Sequence, residues 1–266
     1  ENIKGENFFI DGKLRYLIIK LFLFIVFMEK GIILHPVGFR TNGYNPVVKI
    51  NLIHCRMENV SKKMAEYLLQ INAIKLQPAN PFTWASGWKS PIYCDNRMTL
   101  SFPEVRSFIR DSFAERVKQL YPEATMIAGV ATGAIAHGAL VADKLGLPFI
   151  YVRSGAKDHG LGNQIEGKFE KGDKIVVIED LISTGGSSLG AVKALREAEC
   201  DVLGMIAIFT YGFARAEKAF EEEKCRLDTL SNYQVLVEMA AATGYISLHD
   251  VETLKGWRIN PAEWGR

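Results

Sequence analysis

From about residue 57 onward, the chain alternates between two hydrophobic patterns. Apolar residues recur at helical spacing over residues 60–74 and 102–120, which predicts two helices with one buried face each. Between them, Pro and Gly residues predict a loop, and residues 91–95 alternate apolar and polar positions like a short strand. The first part of the regular pattern therefore predicts helix, loop, short strand and helix.

Beyond residue 120, strand-like apolar runs alternate with helix-like segments. The predicted strands are residues 125–131, 149–153, 174–180, 202–210 and 226–230. The predicted helices are residues 135–145, 188–198, 215–222, 233–242 and 249–257, and Gly146 and Pro148 end the first of them. This alternation predicts right-handed crossovers and an α/β fold, with a central parallel sheet flanked by helices on both faces.

The third of these strands leads into residues 176–188, which read VVIEDLISTGGSS. The Val-Val-Ile run predicts a strand covered on both faces, so Glu179 and Asp180 come at the carboxyl end of a sheet strand. Ligands of open α/β sheets bind at that end, and a turn rich in Gly, Ser and Thr before a helix offers backbone N–H groups to an anion. The stretch predicts a phosphate site with two carboxylates beside it, although a strand ending in a solvated acidic turn is the alternative.

The formal net charge of +2 is divided unevenly along the chain. Residues 1–56 hold eight of the 32 Lys and Arg residues and four of the 30 Asp and Glu residues, which leaves 24 basic and 26 acidic residues in 57–266. A nucleic-acid-binding protein needs a basic face. The main body has no basic excess, so we expect no nucleic-acid partner.

Residues 1–56 differ in composition from the rest. The apolar run at residues 17–27 is interrupted by Lys20 and is short for a membrane span, and no small-x-small cleavage pattern follows it. A targeting or anchoring segment is one alternative, and an extension before a natural start at Met57 is the other, which we favour. We therefore expect residues 57–266 to form the functional domain, with no membrane attachment.

Size and cysteine usage narrow the class of protein further. The 266 residues, 48% of them hydrophobic, are enough for one large domain with an appendage. A zinc site or a disulfide framework would need closely spaced cysteines. The four cysteines lie far apart without a CxxC pair, at Cys55, Cys94, Cys200 and Cys225. We expect a reducing, cytoplasmic location.

Two further stretches accompany the acidic turn. Residues 153–167 read RSGAKDHGLGNQIEG and residues 82–97 read FTWASGWKSPIYCDNR. Neither GxxxxGK[ST] nor GxGxxG occurs in the sequence, which removes the usual signatures of nucleoside triphosphates and dinucleotides. The three stretches together resemble the phosphoribosyl pyrophosphate motif, the mobile catalytic loop and the orotate segment of the orotate phosphoribosyltransferase family. The resemblance extends over residues 57–266 and not over 1–56.

The resemblance implies a type I phosphoribosyltransferase fold, with a small hood mainly from residues 57–100 and a core from residues 101–266. It implies transfer of the 5-phosphoribosyl group from phosphoribosyl pyrophosphate to orotate in pyrimidine biosynthesis. The products would be orotidine 5′-monophosphate and pyrophosphate. Mg²⁺ would be the cofactor, held by the pyrophosphate without a direct protein ligand. A homodimer is also implied, in which each mobile loop serves the neighbouring active site.

The resemblance also implies roles for individual residues. The catalytic residues would be Lys157, His159 and Asp180, with the loop cations stabilising the leaving pyrophosphate. Contacts to phosphoribosyl pyrophosphate would come from Arg153, Lys157, His159, Glu179, Asp180, Leu181, Ile182, Ser183, Thr184, Gly185, Gly186 and Ser187. Orotate contacts would come from Ser183, Phe82 and Thr83, with Lys89 and Arg97 as weaker candidates.

The sequence departs from the family pattern at Ala85 and Ser154, where members of the family carry Lys. The orotate contacts therefore cannot all be transferred. For Arg97 a structural ion pair with Asp95 is the alternative, and for two tryptophans, Trp84 and Trp88, packing or lid roles are favoured over cofactor contacts.

A fourth stretch, residues 129–138 (GVATGAIAHG), resembles the family's pyrophosphate turn, with small residues that let the backbone approach a ligand. We expect His137 within it to be a helix-face residue. Two other functions stay open: a purine or uracil phosphoribosyltransferase, which would lack the KxHG loop, and a non-catalytic regulator of the same fold.

Overall fold

The computed structural model describes residues 46–84, 87–153, 155 and 164–265, with side chains from residue 57 onward. The chain groups into two compact units, Glu1–Lys49 and Ile50–Arg266, and the second contains the sheet described below. Residues 1–45 lie outside the described part, so the domain boundary predicted before Met57 stays a prediction. In the described part of the chain, no helix has the length and apolar character needed to cross a membrane.

Seven α-helices and ten strands occur in the described residues. The helices are α1 Pro46–Gln70, α2 Pro103–Leu120, α3 Ile135–Leu145, α4 Gly186–Glu197, α5 Ala214–Glu222, α6 Tyr233–Ala242 and α7 Leu248–Ile259. The strands are β1 Ile74–Leu76, β2 Phe82–Thr83, β3 Lys89–Ser90, β4 Ile92–Cys94, β5 Met126–Val130, β6 Phe149–Val152, β7 Ile165–Glu166, β8 Lys174–Ile182, β9 Asp201–Thr210 and β10 Leu227–Asn232. A 3₁₀-helix, Asn96–Ser101, precedes α2.

The central sheet has six strands in the order β10-β9-β8-β5-β6-β7. Five of them are parallel, and β7 pairs antiparallel with β6 at one edge. The predicted α/β fold with a central parallel sheet is confirmed. Strand β7 was not predicted, because a strand of two residues carries no hydrophobic period.

Both faces of the sheet are covered by helices, as predicted. Alternate residues of β8 belong to different hydrophobic clusters, with Val176 and Ile178 in one and Ile175 and Val177 in the other. The first cluster includes buried residues of α1, α2, α3, α6 and α7, and the second includes those of α4 and α5. Successive side chains of a strand point to opposite faces, so a strand buried on both sides reads as a continuous apolar run.

The predicted hood segment forms two small antiparallel sheets, β1 with β4 and β2 with β3. An aromatic cluster connects it to the core: the ring of Trp84 lies 5.4 Å from that of Tyr211 and 5.7 Å from that of Trp257. The indole Nε1 of Trp257 also donates to the carbonyl of Lys89 at 3.3 Å. Trp84 therefore packs between the hood, the end of β9 and helix α7, in agreement with the packing role favoured for it.

The first helix differs most from its prediction. It runs from Pro46 to Gln70, whereas helical spacing predicted residues 60–74. Asn72 has a φ of 57°, a left-handed conformation that Asn tolerates better than most residues, and β1 begins at Ile74. The apolar residues after Gln70 continue the helical spacing by coincidence, because Ile71 and Ala73 are buried in the turn and Ile74 is the first residue of β1.

Candidate active site

The predicted site lies where the strand order of the sheet reverses. After β5 the chain continues to β6 on one side, and β8 then pairs with β5 on the other side. In open α/β sheets the crevice beyond the carboxyl ends of two such strands is the usual ligand site. The turn after β5 and the acidic end of β8 both meet at this point.

Asp180 lies at this crevice and is partly exposed. Its carboxylate crosses directly over Gly133 in the turn after β5, so that a Cβ atom at position 133 would overlap it. A glycine is therefore required for the close approach of the two segments. Two other glycines of the same stretch, Gly129 and Gly138, allow close packing of the segments instead. A Cβ at Gly138 would lie 2.7 Å from the ring of Phe149 and 3.2 Å from the Cα of Gly129.

Glu179 has a different environment from its neighbour, because its side chain is buried beneath the turn. One carboxylate oxygen accepts from the N–H of Asp180 at 2.9 Å and the other accepts from the hydroxyl of Ser188 at 2.8 Å. Burial raises the pKa of the Glu179 carboxyl well above its usual range. The predicted contact of Glu179 with phosphoribosyl pyrophosphate stays a prediction.

The N-terminus of helix α4 is open. Gly185 has a φ of 84°, and among the described residues no side chain caps the helix. The N–H of Leu189 donates to the carbonyl of Gly185 at 2.9 Å, so the N–H groups of Gly186–Ser188 come before the intrahelical bonds begin. Gly186 and Ser187 are exposed. Free N–H groups at the positive end of the helix dipole form an anion site.

The predicted orotate residues Phe82 and Thr83 form β2 of the hood, and Ser183 follows β8 on the core. The Nζ of Lys89 donates to the hydroxyl of Thr83 at 2.9 Å, which brings two candidates together. Arg97 makes a bidentate ion pair with Asp95. Its Nε donates to Oδ1 at 2.7 Å and its Nη2 donates to Oδ2 at 2.9 Å. The ion pair considered as the alternative for Arg97 is therefore present.

The predicted catalytic loop joins β6 to β7, and the structure shows both of its ends. The N–H of Arg153 donates to the carbonyl of Gln164 at 2.9 Å, and the side chain of Gln164 returns a bond to the carbonyl of Arg153 at 3.0 Å. Residues 154 and 156–163 lie outside the described part of the chain, and Lys157 and His159 are among them. Ala85 also lies outside the described residues.

Comparison with known proteins assigns the chain to a family. The model of the phosphoribosyl transferase domain matches residues 102–241. Over 208 residues the chain is 59% identical to an orotate phosphoribosyltransferase of Bacteroides fragilis, an alignment that covers 78% of this chain and 98% of the relative. The chain belongs to the orotate phosphoribosyltransferase family. An orotate phosphoribosyltransferase of Listeria monocytogenes is 57% identical over 208 residues, 78% of this chain and all of the relative.

Solved structures of the orotate phosphoribosyltransferase family have the same fold. The crystal structure of orotate phosphoribosyltransferase from Aeropyrum pernix matches with a TM-score of 0.61 and 27% identity, over 69% of this chain and 99% of that one. The central sheet flanked by helices is therefore that of a type I phosphoribosyltransferase, as the sequence resemblance implied.

Sequence analysis missed three polar residues beside Asp180. The side chain of Asn96 donates to the backbone carbonyl of Asp180 at 2.6 Å, and Thr99 and His137 lie next to it, all three buried. His137 was predicted to be a helix-face residue, and the face it occupies is a buried one. In the sequence, a buried Asn in the CDNR stretch looks the same as an exposed one, so no signal pointed to this group.

Proposed function

We propose that this protein transfers the 5-phosphoribosyl group from phosphoribosyl pyrophosphate to orotate, forming orotidine 5′-monophosphate and pyrophosphate. One observation carries the proposal: the carboxylate of Asp180 lies beside the open N-terminus of α4 at the sheet crevice, in a chain of this family. The substrate has a phosphate and a ribose diol. An anion site and a carboxylate acceptor side by side match those two groups.

The described residues of the site have two proposed roles, binding of the substrate and stabilisation of the charge that develops on it. The N–H groups at the start of α4 bind the 5′-phosphate, and the Asp180 carboxylate accepts hydrogen bonds from the ribose hydroxyls. Displacement at the anomeric carbon passes through an oxocarbenium-like state, as in glycoside chemistry. A fixed carboxylate near that carbon stabilises the positive charge as it develops, without reorganisation.

The leaving pyrophosphate requires positive charge on the other side of the reacting carbon. By family resemblance, Lys157 and His159 supply it from the loop, together with Arg153 at the end of β6. The paired ends of the loop, Arg153 and Gln164, support this assignment because they hold its base at the rim of the sheet. We further propose that the protein is a homodimer whose loops serve the neighbouring sites.

Mg²⁺ is proposed as the cofactor. In the described part of the chain no three His, Cys, Asp or Glu residues are grouped to hold a metal. Mg²⁺ keeps much of its water shell and binds phosphate oxygens readily. The proposed Mg²⁺ would be held by the pyrophosphate of the substrate, without a direct protein ligand. When bound, Mg²⁺ would neutralise charge on the pyrophosphate.

The proposed setting is the cytoplasm. Three cysteines of the described residues, Cys94, Cys200 and Cys225, are free thiols. Free thiols are typical of a reducing compartment, and pyrimidine biosynthesis from soluble substrates would take place there.

The test is an assay of orotate consumption, followed by absorbance, with phosphoribosyl pyrophosphate and Mg²⁺. We expect consumption that requires phosphoribosyl pyrophosphate and stops when a chelator removes the metal. Uracil and hypoxanthine serve as alternative acceptors in parallel reactions. Turnover of either of these without turnover of orotate would replace the proposed substrate, and turnover of none would favour a non-catalytic protein of the same fold.

A further inference from the structure

A chain of buried hydrogen bonds leads from helix α3 to the backbone of Asp180. The Nε2 of His137 lies 3.2 Å from the hydroxyl of Thr99, and that hydroxyl donates to the backbone carbonyl of Asn96 at 2.5 Å. The side-chain nitrogen of Asn96 then donates to the carbonyl of Asp180 at 2.6 Å. The three polar side chains are 1%, 0% and 1% exposed for Asn96, Thr99 and His137.

The direction of every bond in this chain follows from its chemistry. The thiol of Cys94 donates to the side-chain oxygen of Asn96 at 3.3 Å, which leaves the amide nitrogen of Asn96 facing the carbonyl of Asp180. Thr99 has one hydroxyl hydrogen and gives it to Asn96, so the Nε2 of His137 must carry the proton that Thr99 accepts. Burial lowers the pKa of His137 to about 4, and the imidazole is therefore neutral.

These bonds join parts of the protein that are distant in sequence. Asn96 and Asp180 are 84 residues apart, and Thr99 and His137 are 38 residues apart. The 3₁₀-helix at the end of the hood is thereby connected to the end of β8 and to α3. The carboxylate of Asp180 rests on Gly133, just before α3, while its carbonyl is held by Asn96. Asp180 is thus held through its backbone carbonyl, and the glycine at position 133 leaves room for its carboxylate.

We propose that Asn96 is a positioning residue for Asp180, and that Thr99 and His137 hold the backbone of Asn96 in the turn from which its side chain reaches Asp180. The inference rests on the proposed function, because it concerns the acid assigned there to the ribose. A misplacement of a reacting group by about 1 Å costs on the order of a hundredfold in rate. We therefore expect Asn96→Ala to lower kcat by roughly tenfold to a hundredfold, with a smaller change in the KM for phosphoribosyl pyrophosphate.

A matched pair of variants tests the hydroxyl in the chain. Thr99→Val keeps the shape of the side chain and removes both bonds, whereas Thr99→Ser keeps the hydroxyl. We expect a loss of kcat in Thr99→Val and its rescue in Thr99→Ser. The control is Ser231→Ala, which removes another buried hydroxyl, one that donates to the carbonyl of Ser61 at 2.9 Å. A similar loss of kcat in Thr99→Val and Ser231→Ala would overturn the proposal, since the loss of any buried hydrogen bond would then lower kcat.

A double-mutant cycle tests whether Asn96 acts through Asp180. If it does, Asn96→Ala should cause little further loss of turnover in a protein that already carries Asp180→Asn, a variant expected to keep measurable residual turnover. The same full loss in both backgrounds would mean that Asn96 acts independently of the carboxylate. Turnover is measured well below the unfolding temperature of each variant, so that a folding defect is not counted as a rate effect.

Nitrogen NMR of the His137 imidazole tests the chain without an activity assay. We expect a neutral ring protonated at Nε2 in the wild type and in Thr99→Ser, and a change in both nitrogen shifts in Thr99→Val. Identical spectra in all three proteins would contradict the chain of bonds. Absence of orotate turnover in both the wild type and Ser231→Ala would instead contradict the proposed function, and the NMR result would still decide about the chain.

Discussion

At the scale of single residues, Glu179 and Asp180 are adjacent acids in different environments. Glu179 is buried and both of its carboxylate oxygens accept bonds from within the protein, whereas Asp180 is partly exposed beside the helix N-terminus. Successive side chains of β8 point to opposite faces of the sheet, so Glu179 faces α4, where Ser188 bonds to it, and Asp180 faces the crevice beside Gly133. The difference in burial thus follows from their positions on the strand. It predicts that the two acids contribute unequally to turnover.

The first prediction compares the amides of the two acids. Asp180→Asn should lower kcat by about a hundredfold or more, because it removes a charge that stabilises the transition state. Glu179→Gln should have a much smaller effect, since Glu179 is buried and its carboxylate oxygens accept bonds from the N–H of Asp180 and the hydroxyl of Ser188 within the protein. Steady-state kinetics and unfolding temperature are measured for both. Near-normal turnover of Asp180→Asn, or a large fall in its unfolding temperature, would make Asp180 a structural acid.

The second prediction concerns pH and His137. Burial lowers the pKa of His137 to about 4, while the nearby charge of Asp180 opposes the shift. The unfolded chain takes up this proton near pH 6.5, so the stability contribution is present above pH 6.5 and is lost as the pH falls towards 4. Wild-type unfolding free energy should therefore fall by about 2 kcal/mol from this group between pH 7 and pH 5.

The measurement for this prediction is urea unfolding of the wild type and His137→Gln at both pH values. The variant lacks the titrating group, so its stability should decrease less on acidification. An equal decrease in the two proteins would show that His137 is not the group responsible.

At the scale of elements, helix α2 is fastened to strand β10 by a buried ion pair. The guanidinium of Arg116 lies 2.8 and 3.1 Å from the two carboxylate oxygens of Asp228, with side-chain exposures of 6% and 16%. Burial raises the pKa of Asp228, an effect that Arg116 and Arg226 oppose. Loss of Arg116 would leave the carboxylate of Asp228 buried without much of the positive charge that offsets its desolvation.

The third prediction is that Arg116→Ala lowers the free energy of unfolding by about 3–5 kcal/mol. The control is Lys255→Ala, because Lys255 pairs with Glu252 at 2.9 Å on the surface, where loss of a pair costs at most about 1 kcal/mol. Both values come from denaturant unfolding under the same conditions. A loss of unfolding free energy for Arg116→Ala no larger than that for Lys255→Ala would contradict the claim that the Arg116–Asp228 pair stabilises the packing of α2 against β10.

The elements also show how far the sequence predicts this structure. The five parallel strands were predicted, because β5, β6, β8 and β9 contain apolar runs and β10 follows them in the alternation of strands and helices. Helices α3 and α6 have the predicted bounds. The hood strands β2 and β3 have two residues each, too few for a hydrophobic period.

The same limit applies within the site. The acidic turn is local in sequence and was predicted, whereas the bond from Asn96 to Asp180 joins residues 84 apart and depends on the folded chain. The burial of Glu179 likewise depends on Ser188 reaching back from α4. Local patterns thus predict which groups are available, and the packing of elements decides which of them face a ligand.

At the scale of the whole molecule, the proposed homodimer places Lys157 and Asp180 of one active site on different chains. The fourth prediction uses the inactive variants Lys157→Ala and Asp180→Ala, unfolded together and refolded. Random pairing makes half of the dimers hybrid, and each hybrid has one site without a lesion, so activity should recover to about a quarter of wild type. If the loop serves its own chain, every site keeps one lesion. Recovery no greater than the residual rates of the two variants, in a mixture shown to contain hybrids, would rule out the shared site.

The central claim is that the crevice at Asp180 and the start of α4 transfers the phosphoribosyl group to orotate. The most direct measurement is the stoichiometry of one reaction, in which orotate consumed, orotidine 5′-monophosphate formed and pyrophosphate released are quantified together. We predict equal amounts of all three with the wild type. Pyrophosphate released without orotidine 5′-monophosphate, or no loss of orotate at all, would contradict the account.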